Sequence, residues 1–371
     1  MLKTRFSSAV KNKKMRAKRR EKLSFNKPLL IFAIIMIVAG LIFTYSSSAF
    51  DSLRYFKRQL LFDIIGVAIM LFLAKYFIKL HEFKLFKPLY VLWFCWALLI
   101  WALFSTEAAH THRWINLGFF NLQPSEFAKV ALIIYLAHFF AKRPEKYRTP
   151  STYITPLFYA FGTIALIYMG RDLGIPILLT TVLLLMLVIV STPLKVIMSL
   201  GLAALPVVAL AIIHKPYRLK RIFTFLSGDV SYQLQHSFYA IGSGGWFGKG
   251  LGASEMKLEY LPAAHTDFIF AIICEEGGLF VALFIVLAFT WLLSVGITRA
   301  RKAKNIYHCY LISGLTLCLF FQAMINMSVA TGLAPTKGLP LPFFSYGGSS
   351  VIVTLAMIGI LMNLFSVEDN S

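Results

Sequence analysis

Apolar runs about twenty residues long, such as LLIFAIIMIVAGLIFTYSSS from Leu29 to Ser48, recur along most of the chain. A helix needs about twenty such residues to cross a hydrocarbon core about 30 Å thick. Within that core every backbone amide and carbonyl must find a partner in the protein, which leaves helices and closed barrels as the only spanning folds. Of the 371 residues, 58% are hydrophobic and 14% charged, with a mean hydropathy of +0.72. Soluble domains sit near 45–50% apolar and about 25% charged. These values exclude a soluble globular enzyme and point to an all-α polytopic membrane protein.

Ten spans are expected, with cores near 29–48, 59–78, 89–106, 125–141, 152–168, 173–191, 195–213, 268–296, 308–330 and 346–366. The third is short, and the fifth and sixth are parted only by GRDLG. A basic tail, residues 1–28, holds 11 Lys/Arg against one Glu and runs straight into the first span, with no cleavable signal peptide. If this tail is cytoplasmic, the inner segments hold 23 Lys/Arg and the outer ones 12, in accord with the positive-inside rule. Both termini are then cytoplasmic, with 367–371 as the C-terminal end, and the one long loop, 214–267 between spans seven and eight, is extracytoplasmic. The tail lacks aromatic interleaving and a folded basic face, so nucleic acid is not expected as a partner; anionic membrane lipids are.

The long loop is patterned. HKPYRLKRIFTFL is basic and amphipathic, suited to a membrane interface. IGSGGWFGKGLG has six glycines in twelve residues, a density that permits close backbone approach. Cys95, Cys274, Cys309 and Cys318 lie in or beside apolar runs without metal-ligand spacing, and read as small core residues.

Three polar clusters carry the candidate chemistry. In YLPAAHTDFIFAIICEE, Asp267 stands just before an oily run. It suits a helix N-cap, and equally a carboxylate whose desolvation makes it a stronger base. Glu275 lies about 12 Å further along a helix, too far to pair with it across one bond. Glu275 and Glu276 read as buried hydrogen-bond partners near the middle of the bundle. Glu259 is close enough in sequence to reach Asp267, and His265 suits orientation of the Asp, phosphate binding or solvent. RWINLGFFNLQPSEFAK brings Arg113, Gln123, Ser125, Glu126 and Lys129 to the fourth span, where a cation needs a partner or a watery cavity. GLAPTKGLPLPFFSYGGSS brings Lys337, Ser345 and Ser349 in a stretch broken by Pro and Gly, tolerated at membrane depth only beside protein or a cavity. All three clusters fall on the outer side, which suits one site for an anionic, lipid-linked substrate.

These three motifs, in this order, resemble the SEDS family of shape, elongation, division and sporulation proteins, over about residues 29–366. TKGLPLPF and AIGSGGWFGKGLG resemble its division-specific branch more than its elongation-specific one. The resemblance implies a peptidoglycan glycosyltransferase that polymerises lipid II outside the cytoplasmic membrane, with a class B penicillin-binding protein and other divisome membrane proteins as partners. It places the family's essential Asp on Asp267 and its loop Glu on Glu259. Arg113, Lys129, Lys337 or a divalent cation (Mg or Mn, not assignable to residues) are the candidates for neutralising the departing pyrophosphate. Two departures stand out: Ala263 replaces a family Glu, and GRDLG keeps Asp172 but loses a Gln-Pro. A lipid II flippase and a non-catalytic scaffold stay open beside the polymerase.

Overall fold

The computed structural model describes residues 26–48, 53–82, 87–105, 112–118, 120–143, 149–202, 227, 231–257, 265–335 and 338–370. Its elements are α1 (Lys27–Ser48), α2 (Leu53–Glu82), α3 (Pro88–Leu103), β1 (Ile115–Asn116), β2 (Asn121–Leu122), α4 (Pro124–Lys142), α5 (Pro150–Met169), α6 (Gly174–Ile189), α7 (Tyr232–Gly244), α8 (Ile269–Lys302), α9 (Ile306–Ala330) and α10 (Gly348–Asn370). Residues 194–202 are also helical.

Seven of these helices are long and apolar enough to cross a membrane, and α3 and α6 are shorter apolar helices. The chain is thus an all-α polytopic membrane protein. The expected fifth and sixth spans are separate helices, parted by a turn in which Arg171 takes a left-handed φ of 65°. Of the expected seventh span, 195–213, only 195–202 lies among the described residues. The basic tail up to residue 25, the amphipathic stretch 214–226, Glu259, Ala263 and Lys337 lie outside them.

Burial sorts the helices. In α4, α9 and α10 most side chains are enclosed, including Leu132, Leu315, Leu355 and Phe365. In α1, α2, α5 and α8, large apolar side chains such as Ile31, Ile64, Phe158 and Leu287 are more than half exposed, as expected where lipid is the solvent. Small residues permit the closest packing: a Cβ on Gly66 of α2 would stand 2.5 Å from Leu355 of α10. Pro88 and Pro124 occupy the first turns of α3 and α4, where a missing amide donor costs nothing. Unforeseen in the sequence were α7, within the long loop, and the β1–β2 hairpin, which pairs Ile115 with Leu122.

α8 is not one continuous helix. Gly278 has φ 67° and ψ −170°, which breaks it into a rod of residues 269–277 and a longer helix of 279–302. The longer part rises about 36 Å by itself, enough to cross a bilayer. Glu275 and Glu276 are buried hydrogen-bond partners, as expected, but they stand at the break and not inside one unbroken helix.

Candidate functional site

A cavity of about 530 Å³ opens where the three polar clusters meet, lined among others by Arg58, Arg113, Gln123, Asp172, His265, Asp267, Gly338, Tyr346 and Ser349. α2 supplies Arg58, the approach to β1 supplies Arg113, and the approach to α4 supplies Gln123. The turn before α8 carries His265 and Asp267, while the broken segment 338–347 closes the far wall.

The Asp267 turn is pinned through its backbone. Asn326 Nδ2 donates to the Asp267 carbonyl at 2.9 Å, Ser345 Oγ to the Thr266 carbonyl at 2.6 Å, and the Tyr346 amide to the His265 carbonyl at 2.9 Å. The side chain itself is not spent on the helix. The N-cap of α8 is Phe268, with no side-chain cap hydrogen bond. The capping role open to Asp267 from the sequence is therefore not the one it has. Its carboxylate faces the cavity, and Gly338 makes room for it: a Cβ there would come within 2.9 Å of Asp267 Oδ2. Burial pushes the Asp267 carboxyl up to about 6, with Arg113 pulling it down and Asp172 pushing it further up.

Asp172, named from the sequence only as a retained turn residue, belongs to the same wall. Its Oδ1 accepts from the Gly174 and Ile175 amides at 3.0 and 3.4 Å, capping α6. Its Oδ2 faces Arg113 Nη1 at 3.9 Å and accepts from Gln123 Nε2 at 3.4 Å. Burial raises its carboxyl, with Arg113 and these amides opposing. The signal in the sequence was an acidic residue between two apolar runs on the outer side. Arg58 was missed for lack of any local motif.

The other expected residues divide. His265 stacks on Tyr55 with ring centroids 5.1 Å apart, at the cavity rim. Ser349 Oγ accepts from the Gln123 amide at 3.0 Å. Ser345 lies behind the wall, where its hydroxyl also accepts from the Leu341 amide at 2.8 Å. Glu126 and Lys129 are fully enclosed and off the cavity, paired at 2.5 Å. Lys129 Nζ also donates to Gln322 Oε1 at 2.6 Å, and Gln322 Nε2 to the Pro340 carbonyl at 2.9 Å. The expected direct role of Lys129 in binding thus gives way to a brace between α4, α9 and the 338–347 segment. Ser125 is likewise buried, on a smaller pocket beside Arg113 and Gly170.

Among the described residues no group of three or more His, Cys, Asp or Glu could hold a metal ion. Asp172 is committed to the Gly174 and Ile175 amides and to Arg113.

Comparison with known proteins agrees along the whole described chain. Residues 27–370 match the family model named for FtsW, RodA and SpoVE, described as cell cycle protein. A probable peptidoglycan glycosyltransferase FtsW of Geobacter sp. (strain M18) is 36% identical over 351 residues, covering 91% of this chain and 95% of that one. Stage V sporulation protein E of Bacillus subtilis (strain 168) is 34% identical, covering 91% and 95%. Among solved structures, a chain of a peptidoglycan synthase complex that coordinates polymerization and crosslinking superposes with a TM-score of 0.74 at 23% identity, covering 92% of this chain and 98% of that one. The rod shape determining protein RodA of Thermus thermophilus gives 0.69 at 24% identity, covering 93% and 97%.

Proposed function

Because the chain belongs to the FtsW/RodA/SpoVE family of cell cycle proteins, we propose that it is a division-associated peptidoglycan glycosyltransferase. Its reaction joins the disaccharide-pentapeptide of lipid II to a growing glycan strand, releasing undecaprenyl pyrophosphate. The observation that carries the reading is Asp267: an uncapped, desolvated carboxylate facing a cavity that also holds Arg58 and Arg113.

The chemistry needs one base and a cationic cradle. The acceptor sugar hydroxyl loses its proton to the Asp267 carboxylate as its oxygen attacks the donor's anomeric carbon. The bond from that carbon to the pyrophosphate oxygen breaks, and Arg113 and Arg58 stabilise the charge that develops there. Lys337, outside the described residues, is assigned the same role from its motif, and Glu259 is assigned to substrate binding. Asp172 holds Arg113 in place. His265, with Tyr55 and Tyr346 beside it, forms an aromatic rim for the sugars; Gln123 and Ser349 line the wall. Lys129, Glu126, Ser125 and Ser345 maintain the frame.

In this reading ten spans cross the cytoplasmic membrane, forming one transmembrane domain over 29–366 with both termini inside and the cavity open outward at the septum. A class B penicillin-binding protein crosslinks the strands that leave it. The deciding experiment uses purified protein with its cognate transpeptidase, labelled lipid II and a gel that resolves glycan strands. Wild type is expected to form strands and Asp267→Asn none, with partner binding intact. Strands from neither, with folding verified and the partner active, would transfer the site to lipid II transport or scaffolding.

A further inference from the structure

The break in α8 leaves a mechanical question. The rod 269–277 carries Asp267 just before its first turn and Glu275 and Glu276 near its last, and Gly278 disconnects it from the helix that follows. An α-helix transmits position through its ladder of hydrogen bonds; a break forfeits that ladder and leaves amides and carbonyls unpaired on both sides. Something else must fix the far end of the rod.

That something is the glycine-rich segment of the outer loop. On the rod side of the break, the Lys249 amide donates to the Glu275 carbonyl at 2.9 Å and the Gly250 amide to the Glu276 carbonyl at 3.1 Å. On the other side, the Leu279 amide donates to the Gly245 carbonyl at 2.9 Å and the Phe280 amide to the Trp246 carbonyl at 3.3 Å. The loop backbone thus completes the ladder across the gap. Glycine is required for it: a Cβ on Gly278 would stand 2.6 Å from the Trp246 carbonyl oxygen, and Gly248 takes φ 79°.

Side chains lock the same joint. Lys257 Nζ, 1% exposed, meets Glu276 Oε1 at 2.8 Å, and Glu276 also accepts from Ser46 Oγ of α1 at 2.6 Å. Lys249 Nζ meets Glu275 Oε1 at 3.0 Å, and Ser254 Oγ donates to Glu275 Oε2 at 2.5 Å. Both glutamates are essentially unexposed. Two buried carboxylates with loop lysines as counter-ions are an expensive way to hold a helix, since desolvating each charge costs several kcal/mol. A purely apolar contact would stabilise as well. A buried ion pair can, however, fix one register between the segments that it joins.

We propose that residues 244–257 act as a splint across the break in α8, setting the pose of the 269–277 rod and thereby where Asp267 stands in the cavity. Lys249, Lys257, Glu275 and Glu276 are positioning residues acting through the rod. The inference rests on the glycosyltransferase reading for its kinetic consequence, but its structural half stands alone.

The test compares full-length wild type, Lys257→Ala, Glu276→Gln and the double variant Lys257→Met/Glu276→Gln. The double variant leaves no buried charge unpaired, so it keeps its fold where the single changes strain it. Hydrogen exchange over 265–277 and strand formation from labelled lipid II with the cognate transpeptidase are measured on each, with Asp267→Asn as the inactive control. Exchange within 269–277 is expected to quicken in all three variants. The kcat is expected to fall about tenfold with KM changed less than about twofold. The acid limb of the pH profile shifts, because Asp267 moves relative to Arg58, Arg113, Asp172 and His265. Unchanged exchange in the folded double variant overturns the splint, whatever the activity. So does a change confined to KM, or a lower yield of folded protein with normal kcat and pH profile. An inactive but folded wild type instead removes the glycosyltransferase reading, and exchange alone then decides the splint.

Discussion

Asp267 and Glu276 stand at opposite ends of one short rod, and their surroundings could hardly differ more. Glu276 is 2% exposed and answered by Lys257 and Ser46. Asp267 is partly open to the cavity, has no cap bond to its own helix, and has Arg113 and Asp172 acting on it with opposite sign. Sequence position alone treats both as carboxylates beside an oily run. The difference is in the partners: a fully answered carboxylate contributes register, whereas a half-answered one keeps a lone pair available at a raised pKa.

The sharpest way to break this comparison is to neutralise Asp267. Asp267→Asn is expected to reduce strand formation by about 10³-fold, the range for losing a general base, as read from initial rates with lipid II. Next in size is the buried frame. Lys129→Met leaves Glu126 charged and enclosed, and is expected to lower stability by about 3 kcal/mol. Lys129→Met/Glu126→Gln should recover most of that loss in thermal unfolding; no recovery would show that the pair is not coupled.

Arg113→Gln comes third, with an expected loss of about 10²-fold in kcat/KM, the lower end for removing an electrostatic stabiliser. It also carries a sign. Arg113 pulls the Asp267 carboxyl down, so its removal should move the acid limb of the rate profile to higher pH. A downward move would contradict the assignment of that limb to Asp267.

The smallest effect concerns stability. The folded chain holds the Asp267 proton more tightly than the unfolded chain does, since its carboxyl is raised from 3.8 to about 6. This contribution favours folding fully below about pH 4 and is lost as pH rises through about 6. Asp267→Asn is therefore expected to be more stable than wild type at pH 8, by about 1–2 kcal/mol, and so to melt at a higher temperature. The gap should close toward pH 4. Equal melting at both values would mean that the carboxylate is not desolvated.

Much of this was legible along the chain. Apolar length located the helices, because a spanning segment must satisfy its backbone within itself. Pro124 and the LPLPF stretch marked where helices start or break, because proline lacks an amide donor. Arg113, Gln123, His265, Asp267 and Ser349 were found as polar residues at the outer ends of such runs, and they do meet at one cavity. Asp172 sat in plain view but carried no spacing signal, since its partners Arg113 and Gln123 lie 59 and 49 residues away.

What the sequence by itself determined is local: that long apolar segments such as 29–48 and 308–330 are helical, and that a carboxylate precedes the apolar run of α8. Local sterics and transfer free energy act residue by residue, so they can be read that way. Only the tertiary structure decided that Lys129 is a brace, that Asp267 is uncapped, that Asp172 faces Arg113, and that the glycine-rich loop completes a broken helix. Those outcomes depend on which distant groups come within hydrogen-bonding reach, and burial multiplies the energy of every such meeting.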